Sequence, residues 1–293
     1  MKKLWSGKTK GSLLGHKIFV FILKRFHLHA AFFVLRFVVL YYALFSPAST
    51  KSTYRFFRKV FKYSRLKSGL KVFTNYYIFG QTLIDKVTLM AGISKQYSFD
   101  FDGEEHLRAM VENNTGGMLI SAHIGNWEIA GHMLQRINAK INVVMYEAEH
   151  EGLKKYMSSV TGKKNIHVII IKSDMSHIFE ISKALANKEI ICIHGDRFVE
   201  GAKVIPTAFF GEKAFFPSGP FYMASKFDVP YAFVFCMKES STHYHLYSTP
   251  AKKSTDGVEK MLAEYATILE EMIRKHPEQW FNYYDFWTPL KKV

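Results

Sequence analysis

The first 84 residues of this 293-residue chain contain no aspartate or glutamate, although they contain 16 lysines and arginines. Asp85 is the first acidic residue, and the remainder of the chain carries 24 basic residues against all 25 acidic ones. The formal net charge of +15 therefore belongs to the N-terminal part of the sequence. A basic segment of this kind indicates an anionic partner, either a membrane surface or a nucleic acid.

Cysteine is scarce as well. Cys192 and Cys236 both lie in apolar runs, and two thiols of this kind make no disulfide framework. We interpret them as buried free thiols of a reducing compartment. The sequence also lacks a Gly-x-Ser-x-Gly nucleophile elbow, so a covalent intermediate on such a serine is not expected.

A long apolar segment, 17–45, follows the basic N-terminus. Its longest charge-free run, 37–50, is shorter than the roughly 20 residues that a spanning helix needs. A helix over 26–45 would carry Arg36 as its one full charge, so a tilted or snorkelling span stays open. No small-x-small cleavage site precedes Pro47, so we expect the helix to be retained. A buried core helix is the alternative.

Residues 51–71 combine aromatic side chains at three- and four-residue steps with basic residues on the remaining faces. This pattern predicts an amphipathic helix that lies on lipid headgroups. Aromatic residues in a basic patch can also stack on single-stranded nucleic acid, but no nucleic-acid motif accompanies this patch. We therefore expect an anionic membrane surface as the partner and no nucleic acid.

The stretch 116–135 indicates a strand that leads directly into a helix. Residues 118–121 form a short apolar run after two glycines, and Asn126 is a good N-cap for the helix. His123 then lies between strand and helix, and Glu128 lies in the first helical turn. A carboxylate there can orient one imidazole nitrogen and leave the other to act as a base. This spacing arises about once by chance, so a capping glutamate and a structural histidine remain the alternative.

Apolar runs alternate with helical segments over 99–237, which predicts an α/β fold with a mainly parallel central sheet covered by helices. Ligands of such sheets gather at the carboxyl ends of the strands. His123 follows one predicted strand, and Asp196 and Arg197 follow another. We expect them on the same edge, with Arg197 as a clamp for a phosphate or an oxyanion. An ordinary ion pair with Asp196 is the alternative.

Two groups of histidines could hold a metal ion. His123, His194 and Asp196 would share one edge of the sheet, as in a metal-dependent hydrolase. His243 and His245 share one face of a strand, but without a third ligand nearby they are better explained as hydrogen-bonded surface histidines. We predict no metal ion and no other cofactor.

Four blocks of the sequence resemble the lipid A biosynthesis acyltransferases of the lysophospholipid acyltransferase superfamily. They are His-Ile-Gly-Asn-Trp-Glu at 123–128, Gly-Asp-Arg-Phe at 195–198, Phe-Phe-Gly at 209–211 and His-Pro-Glu-Gln-Trp at 276–280. The blocks occur in the family's order, and phosphatidylinositol-mannoside acyltransferases share the pattern. The aromatic stretch 209–217, which we expect to be a loop, is by itself interpreted as core in preference to a slot for an acyl chain.

The resemblance implies a glycerolipid acyltransferase-like domain over 51–293. A basic N-terminal segment, 1–50, precedes it and holds the membrane helix at about 17–45. It implies an enzyme at the cytoplasmic face of the bacterial inner membrane. The enzyme would move a fatty acyl group from an acyl-carrier-protein or coenzyme A thioester to a hydroxyl of a glycolipid or lysolipid, with a lipid A-type acceptor favoured.

The resemblance also assigns roles to residues. His123 and Glu128 match the catalytic His-x4-Asp/Glu motif of the family, with His123 as general base and Glu128 as its support. Asp196 and Arg197 match a downstream block for acceptor binding or charge stabilisation, and Asn126 is expected to contact substrate. Arg197 or backbone amides near Gly125 would stabilise the oxyanion. A metal-dependent hydrolase and a non-enzymatic membrane-surface or nucleic-acid-binding protein are the alternatives.

Overall fold

The computed structural model describes residues 13–90, 96–127, 129–130, 137–146, 166–172, 174–199 and 201–287. The strands are β1 (Ser98–Asp102), β2 (Gly117–Ser121), β3 (Ile141–Tyr146), β4 (Ile166–Ile171), β5 (Ile190–His194), β6 (Val204–Phe209), β7 (Glu212–Pro217), β8 (Tyr231–Lys238) and β9 (His243–Ser248). The helices are α1 (Leu13–Phe45), α2 (Pro47–Lys59), α3 (Arg65–Met90), α4 (Glu104–Glu112), α5 (Ser176–Ala186), α6 (Gly219–Lys226) and α7 (Val258–Lys275), with a short 3-10 helix, Pro277–Gln279.

Seven strands form one sheet in the order β1-β9-β8-β2-β5-β3-β4. Among the strands that the structure describes, every neighbouring pair is parallel except β8 and β9. Met118, Leu119 and Ile120 of β2 are fully buried, as expected for a strand covered on both faces. The prediction of an α/β fold with a mainly parallel sheet is therefore confirmed. Both cysteines are free thiols; Cys236 is buried as predicted, whereas Cys192 is only partly buried.

The pairing of β2 with β5 positions the functional residues. These neighbouring strands are parallel, and their register places the last residue of β2, Ser121, opposite the last residue of β5, His194. The chain segments that leave the two strands therefore start side by side. The Gly195 N–H donates to the Ser121 carbonyl at 2.8 Å, which extends the pairing beyond the strands. We call the carboxyl ends of β2 and β5 the rim.

Helix α1 is interrupted at His27, where φ is 63° and ψ is 178°. C-terminal to this break, one face packs on α3: Leu35 lies against Gly80, and the Tyr77 hydroxyl donates to the Phe32 carbonyl at 3.4 Å. Other large apolar side chains of α1 are exposed, namely Phe26, Phe33, Phe37, Leu40, Tyr41, Leu44 and Phe45. The stretch Arg25–Phe45 is long and apolar enough to cross a membrane by length and composition.

The prediction of one continuous helix over 51–71 is wrong. Helix α2 ends at Lys59, and α3 begins only at Arg65, because the backbone between them passes through a positive φ of 55° at Lys62. The aromatic side of α2 also faces inward, since Phe57 is fully buried. Phe56 and Phe57 therefore pack inside the protein, while the exposed positions of 51–71 hold basic residues together with Leu66 and Leu70.

The stretch 209–217, expected as a loop, comprises the end of β6, a turn and β7, which form a β-hairpin that sequence reasoning missed. Strands β6 and β7 pair antiparallel, and the two residues between them, Phe210 and Gly211, both have positive φ values, 53° and 76°. Two such residues form the hairpin turn whose twist matches that of the strands. Phe209 is fully buried, so the interpretation of the block as core is correct for that residue.

Candidate active site

His123 lies just beyond β2 and is held by a carboxylate from the neighbouring strand end. Its Nδ1 is 2.8 Å from Asp196 Oδ1, and its backbone N–H donates to Asp196 Oδ2 at 3.0 Å. One buried carboxylate therefore fixes both the ring and the backbone of the histidine. Because an ionised carboxylate only accepts hydrogen bonds, this contact places the proton of a neutral ring on Nδ1 and gives Nε2 the lone pair.

The environment of Asp196 keeps it ionised. Burial alone would raise the pKa of this carboxyl group, since its side chain is 1% exposed. The charge and hydrogen bond of His123, and then the charges of Arg197 and His194, outweigh burial and hold the pKa of Asp196 well below its ordinary value. The group can therefore act as a permanent counter-charge for an imidazolium at His123.

A second imidazole completes the rim. The rings of His123 and His194 have centroids 4.3 Å apart at an angle of 34°, and the rings of Trp127 and His194 meet edge to face with centroids 5.1 Å apart. Ligand atoms of His123, His194 and Asp196 all lie within 4.8 Å of one another. These residues fit the donor set of a divalent metal ion, so the hydrolase alternative has a geometric basis.

Glu128 lies outside the described residues, and its support of His123 stays a prediction. What sequence reasoning missed is that Asp196 contacts His123 Nδ1. The contact follows from the strand register, which local sequence patterns do not give: Ser121 pairs with His194, so residues two positions beyond each strand meet across the rim. Asp196 was placed on the correct edge but assigned to substrate, a role that also stays a prediction.

Asn126 has a buried position, with 3% of its surface exposed. Its Oδ1 accepts the Ile129 N–H at 3.3 Å, which confirms the predicted N-cap. Its Nδ2 donates to the Thr82 carbonyl at 3.3 Å and to the Tyr244 hydroxyl at 3.2 Å. These contacts give Asn126 a structural role, and its predicted contact with substrate stays a prediction.

Arg197 is anchored to the C-terminal part of the chain, because its Nη2 donates to the Phe281 carbonyl at 2.6 Å. The guanidinium group lies close enough to Asp196 to lower the pKa of that carboxyl group. The structure thus holds a fixed cation beside the Asp196 carboxylate that contacts His123. Its role as an oxyanion clamp stays a prediction.

The block at 276–280 braces the segment that carries His123. The Gly125 N–H donates to the Gln279 carbonyl at 3.0 Å, and the Phe281 N–H donates to the His123 carbonyl at 3.1 Å. Between these contacts, Ile124 and Trp280 form an antiparallel bridge. Two blocks that are far apart in sequence are therefore one structural unit.

Gly125 occupies a position that only glycine fits. Its φ is 64°, and a Cβ atom there would lie 2.0 Å from the Cys236 carbonyl oxygen. The Asn126 N–H donates to that same oxygen at 2.7 Å. The glycine allows the segment to run against β8, which holds His123 at the rim.

Comparison with known proteins agrees with these features. The sequence profile described as bacterial lipid A biosynthesis acyltransferase matches residues 71–287. Phosphatidylinositol mannoside acyltransferases from two strains of Mycobacterium tuberculosis are 25% and 24% identical over 191 residues. These matches cover 64% of this chain and 60% of each relative, so the chain spans less than two thirds of their length. Since the profile covers well over half of the sequence, including His123, Asp196 and Trp280, the chain belongs to the bacterial lipid A biosynthesis acyltransferase family.

Proposed function

We propose that this protein is an O-acyltransferase that moves a fatty acyl group from a thioester to a hydroxyl of a glycolipid-type acceptor. The observation that carries the proposal is the buried contact between His123 Nδ1 and Asp196, at 2.8 Å on the rim of the sheet. Membership of the family and the names of the two relatives support both the reaction and the acceptor class.

In the proposed reaction His123 is the general base. Its Nε2 takes the proton from the acceptor hydroxyl while that oxygen attacks the thioester carbonyl, and the resulting imidazolium is stabilised by Asp196. The tetrahedral intermediate then breaks its carbon–sulfur bond, and the thiolate takes the proton back from the imidazolium. The products are an ester and a free thiol. General-base catalysis of this kind contributes roughly 10²–10⁴-fold in rate.

The negative charge on the oxygen of the tetrahedral intermediate needs a hydrogen-bond donor that stabilises it. Backbone amides near Gly125 are poor candidates, because the N–H groups of His123, Gly125 and Asn126 all donate to protein acceptors. We assign the role to Arg197, whose guanidinium is anchored beside Asp196 by its bond to the Phe281 carbonyl. Glu128 remains the proposed second acidic group of the motif.

We also propose the chemical classes of the acyl donor and of the acceptor, from the chemistry of the reaction and from the resemblance to the family. The donor is an acyl-acyl-carrier-protein or an acyl-coenzyme A. The acceptor is a glycolipid or lysolipid, with a lipid A-type glycolipid and a phosphatidylinositol mannoside as the two acceptors to test first. We place the enzyme at the cytoplasmic face of a bacterial inner membrane, since the exposed apolar side chains of α1 suit lipid and the N-terminal quarter is strongly basic.

Radiolabelled acyl transfer tests the proposal. The purified chain is given labelled acyl-acyl-carrier-protein or acyl-coenzyme A with bacterial membrane lipids, and the lipid products are identified by mass spectrometry. We expect a labelled ester with wild-type protein and little with His123→Ala, while a matched surface variant, Asp256→Asn, keeps full activity. A folded His123→Ala variant with wild-type activity would contradict the proposal.

A chelator separates the proposed transferase from the hydrolase alternative. A metal-dependent hydrolase would contain a stoichiometric divalent ion, lose activity when that ion is removed, and release free fatty acid rather than an ester. The proposed mechanism predicts that transfer continues after chelation. Metal content and product identity are measured on the same preparation.

A further inference from the structure

A buried charged cluster lies behind the active site, and the reaction proposed above does not use it. Asp85 of α3 is fully buried and accepts hydrogen bonds from the ammonium group of Lys238, the hydroxyl of Tyr244 and, at 2.8 Å, the hydroxyl of Tyr97. The Lys238 side chain is 3% exposed. The first acidic residue of the chain is therefore part of an internal ion pair.

The cluster joins the helical layer to the sheet. Asp85 belongs to α3, Lys238 ends β8 and Tyr244 lies in β9. The Lys238 ammonium also lies 5.6 Å from the ring centroid of Phe32, on α1. A buried ion pair is a poor way to gain stability, because each charge loses its water, whereas it can fix one arrangement of the elements it joins. The cluster thus links α3 directly to β8 and β9, with a ring of α1 beside its ammonium group.

A hydrogen bond connects the cluster to the segment of residues 122–127, which we call the His123 loop. The Tyr244 hydroxyl donates to Asp85 and accepts from Asn126 Nδ2 at 3.2 Å. The same Nδ2 donates to the Thr82 carbonyl at 3.3 Å. The Asn126 side chain, whose oxygen caps the helix after the loop, is therefore held by α3 in two ways. Thr82 contacts its amide group directly, and Asp85 contacts it through Tyr244.

A second connection runs through the backbone. Gln279 accepts the Lys238 N–H at 2.8 Å through its side-chain oxygen and donates to the Lys238 carbonyl at 2.6 Å. The Gln279 carbonyl in turn accepts the Gly125 N–H at 3.0 Å. The residue that supplies the buried ammonium is therefore also tied to the loop from its other side.

We propose that Asp85, Lys238 and Tyr244 are positioning residues for acyl transfer, which hold the His123 loop in its reactive conformation by fixing Asn126 against α3. This inference rests on the proposed function. None of the three residues touches the reacting atoms; they act through Asn126 and Gln279. As a consequence, the reactive geometry of His123 depends on the seating of α3 on the sheet.

Two tyrosines provide a matched pair of variants. Tyr97→Phe and Tyr244→Phe each remove one hydroxyl that donates to Asp85, but only the Tyr244 hydroxyl also accepts from Asn126 and, at 3.4 Å, from Lys238. A purely structural role of the cluster predicts similar effects of the two variants on catalysis. The positioning role predicts that Tyr244→Phe lowers kcat about tenfold or more with KM within about twofold, because small displacements of a catalytic group are costly in rate. Tyr97→Phe should keep kcat within about twofold.

Asn126→Ser cuts the same connection from the loop side. Serine keeps an oxygen that can cap the helix but loses the amide donor to Tyr244 and Thr82. We expect the kcat defect of Tyr244→Phe, and we expect the double variant to lose little more, because the two changes remove one shared contact. A rise in KM with unchanged kcat would instead identify Asn126 as a substrate-binding residue and overturn the inference.

Hydrogen exchange measures the loop without any activity. In Tyr244→Phe the amides of His123, Gly125 and Asn126 should exchange faster than in wild type and in Tyr97→Phe. Equal exchange in both variants, or equal kcat in both, overturns the inference. If wild-type protein transfers no acyl group, the proposed function fails, while the exchange comparison still decides whether the cluster holds the loop. If Tyr244→Phe does not fold, the kcat and the exchange rates of Asn126→Ser are compared with those of wild type and Tyr97→Phe instead.

Discussion

Asp196→Asn is the sharpest single test of the active site, because it keeps the size of the side chain and removes its charge. In the wild type both oxygens accept from His123, one from the ring at 2.8 Å and one from the backbone N–H at 3.0 Å. An asparagine has one carbonyl oxygen and one NH₂ group. If the oxygen keeps the backbone bond, the NH₂ group faces Nδ1, and the ring proton must move to Nε2. In the proposed reaction, Nε2 is the nitrogen that takes the proton from the hydroxyl of the acceptor substrate.

The expected loss of activity follows from this change in which ring nitrogen of His123 carries the proton. General-base catalysis contributes roughly 10²–10⁴-fold, which corresponds to about 2.7–5.4 kcal/mol of activation free energy. The loss should appear in kcat, with KM within about threefold, because Asp196 acts through His123 and is itself buried. Initial rates of label transfer from the thioester measure both constants. A folded variant that keeps more than about a third of wild-type kcat would refute the assignment.

The pH profile gives an independent reading of the same variant. His123 must be neutral to act as a base, so the wild-type rate falls on the acid side. Asp196 stays ionised there because its pKa is held well below the ordinary carboxyl value. Removing this counter-charge disfavours the imidazolium, so the acid limb of the Asp196→Asn profile should move to lower pH. A limb that stays in place would mean that the carboxylate does not stabilise the charged ring.

Stability should change with pH in a defined direction. A carboxyl group with a depressed pKa in the folded state stabilises the fold above its unfolded pKa, about 3.9, and loses that contribution as pH falls through the folded value. Asp196→Asn should therefore be less stable than wild type near neutral pH, and the difference should shrink in strong acid. Denaturant unfolding at both conditions measures this difference, with Glu112→Gln at an exposed position as the control.

Three other variants test separate parts of the structure. Glu128→Gln should lower kcat without moving the acid limb if Asp196 is the carboxylate that supports the imidazolium; a shifted limb would transfer that role to Glu128. Gly125→Ala should destabilise the fold by more than about 2 kcal/mol or prevent folding, because a Cβ would lie 2.0 Å from the Cys236 oxygen at a φ of 64°. Circular dichroism checks this, and Gly211→Ala, with no atom within 4 Å of its Cβ, controls for the positive φ alone. Paired Phe37→Glu and Leu44→Glu changes on the exposed face of α1 should reduce sedimentation with anionic vesicles without lowering thermal stability; unchanged sedimentation would remove α1 as the lipid contact.

Local sequence patterns predicted the buried strands of the central sheet, although not the β6–β7 hairpin. The apolar runs predicted at 141–146 and 167–171 form β3 and nearly all of β4, because such short runs bounded by polar residues fit covered positions in a parallel sheet. The Asn126 cap followed from the same kind of local rule. The break at Lys62 and the turn at Phe210 did not, since both depend on positive φ values at residues that seldom adopt them.

Contacts between distant segments were beyond the reach of local pattern. The resemblance placed His123 and Asp196 in their blocks, but their contact follows from the register of β2 with β5, which the sequence does not reveal. The bridge from Ile124 to Trp280 and the ion pair of Asp85 with Lys238 are of the same type, because each joins residues more than 150 positions apart. The sequence thus supplied the chemical groups, and the sheet decided which carboxylate meets the imidazole.

Helix α3 connects the two requirements that the proposed reaction makes of this protein. A lipid acceptor and its acylated product both reside in the bilayer, so the site must work beside lipid without losing the geometry of His123. One side of α3 supplies Thr82 and Asp85 to the contacts that fix Asn126, while Leu70 and Phe73 are exposed on the same helix. A helix that contacted only lipid would have no contact with the His123 loop and could not affect its position. Because Thr82 and Asp85 of α3 hold the Asn126 amide, one directly and one through Tyr244, we expect displacement of this helix to displace His123, the proposed general base.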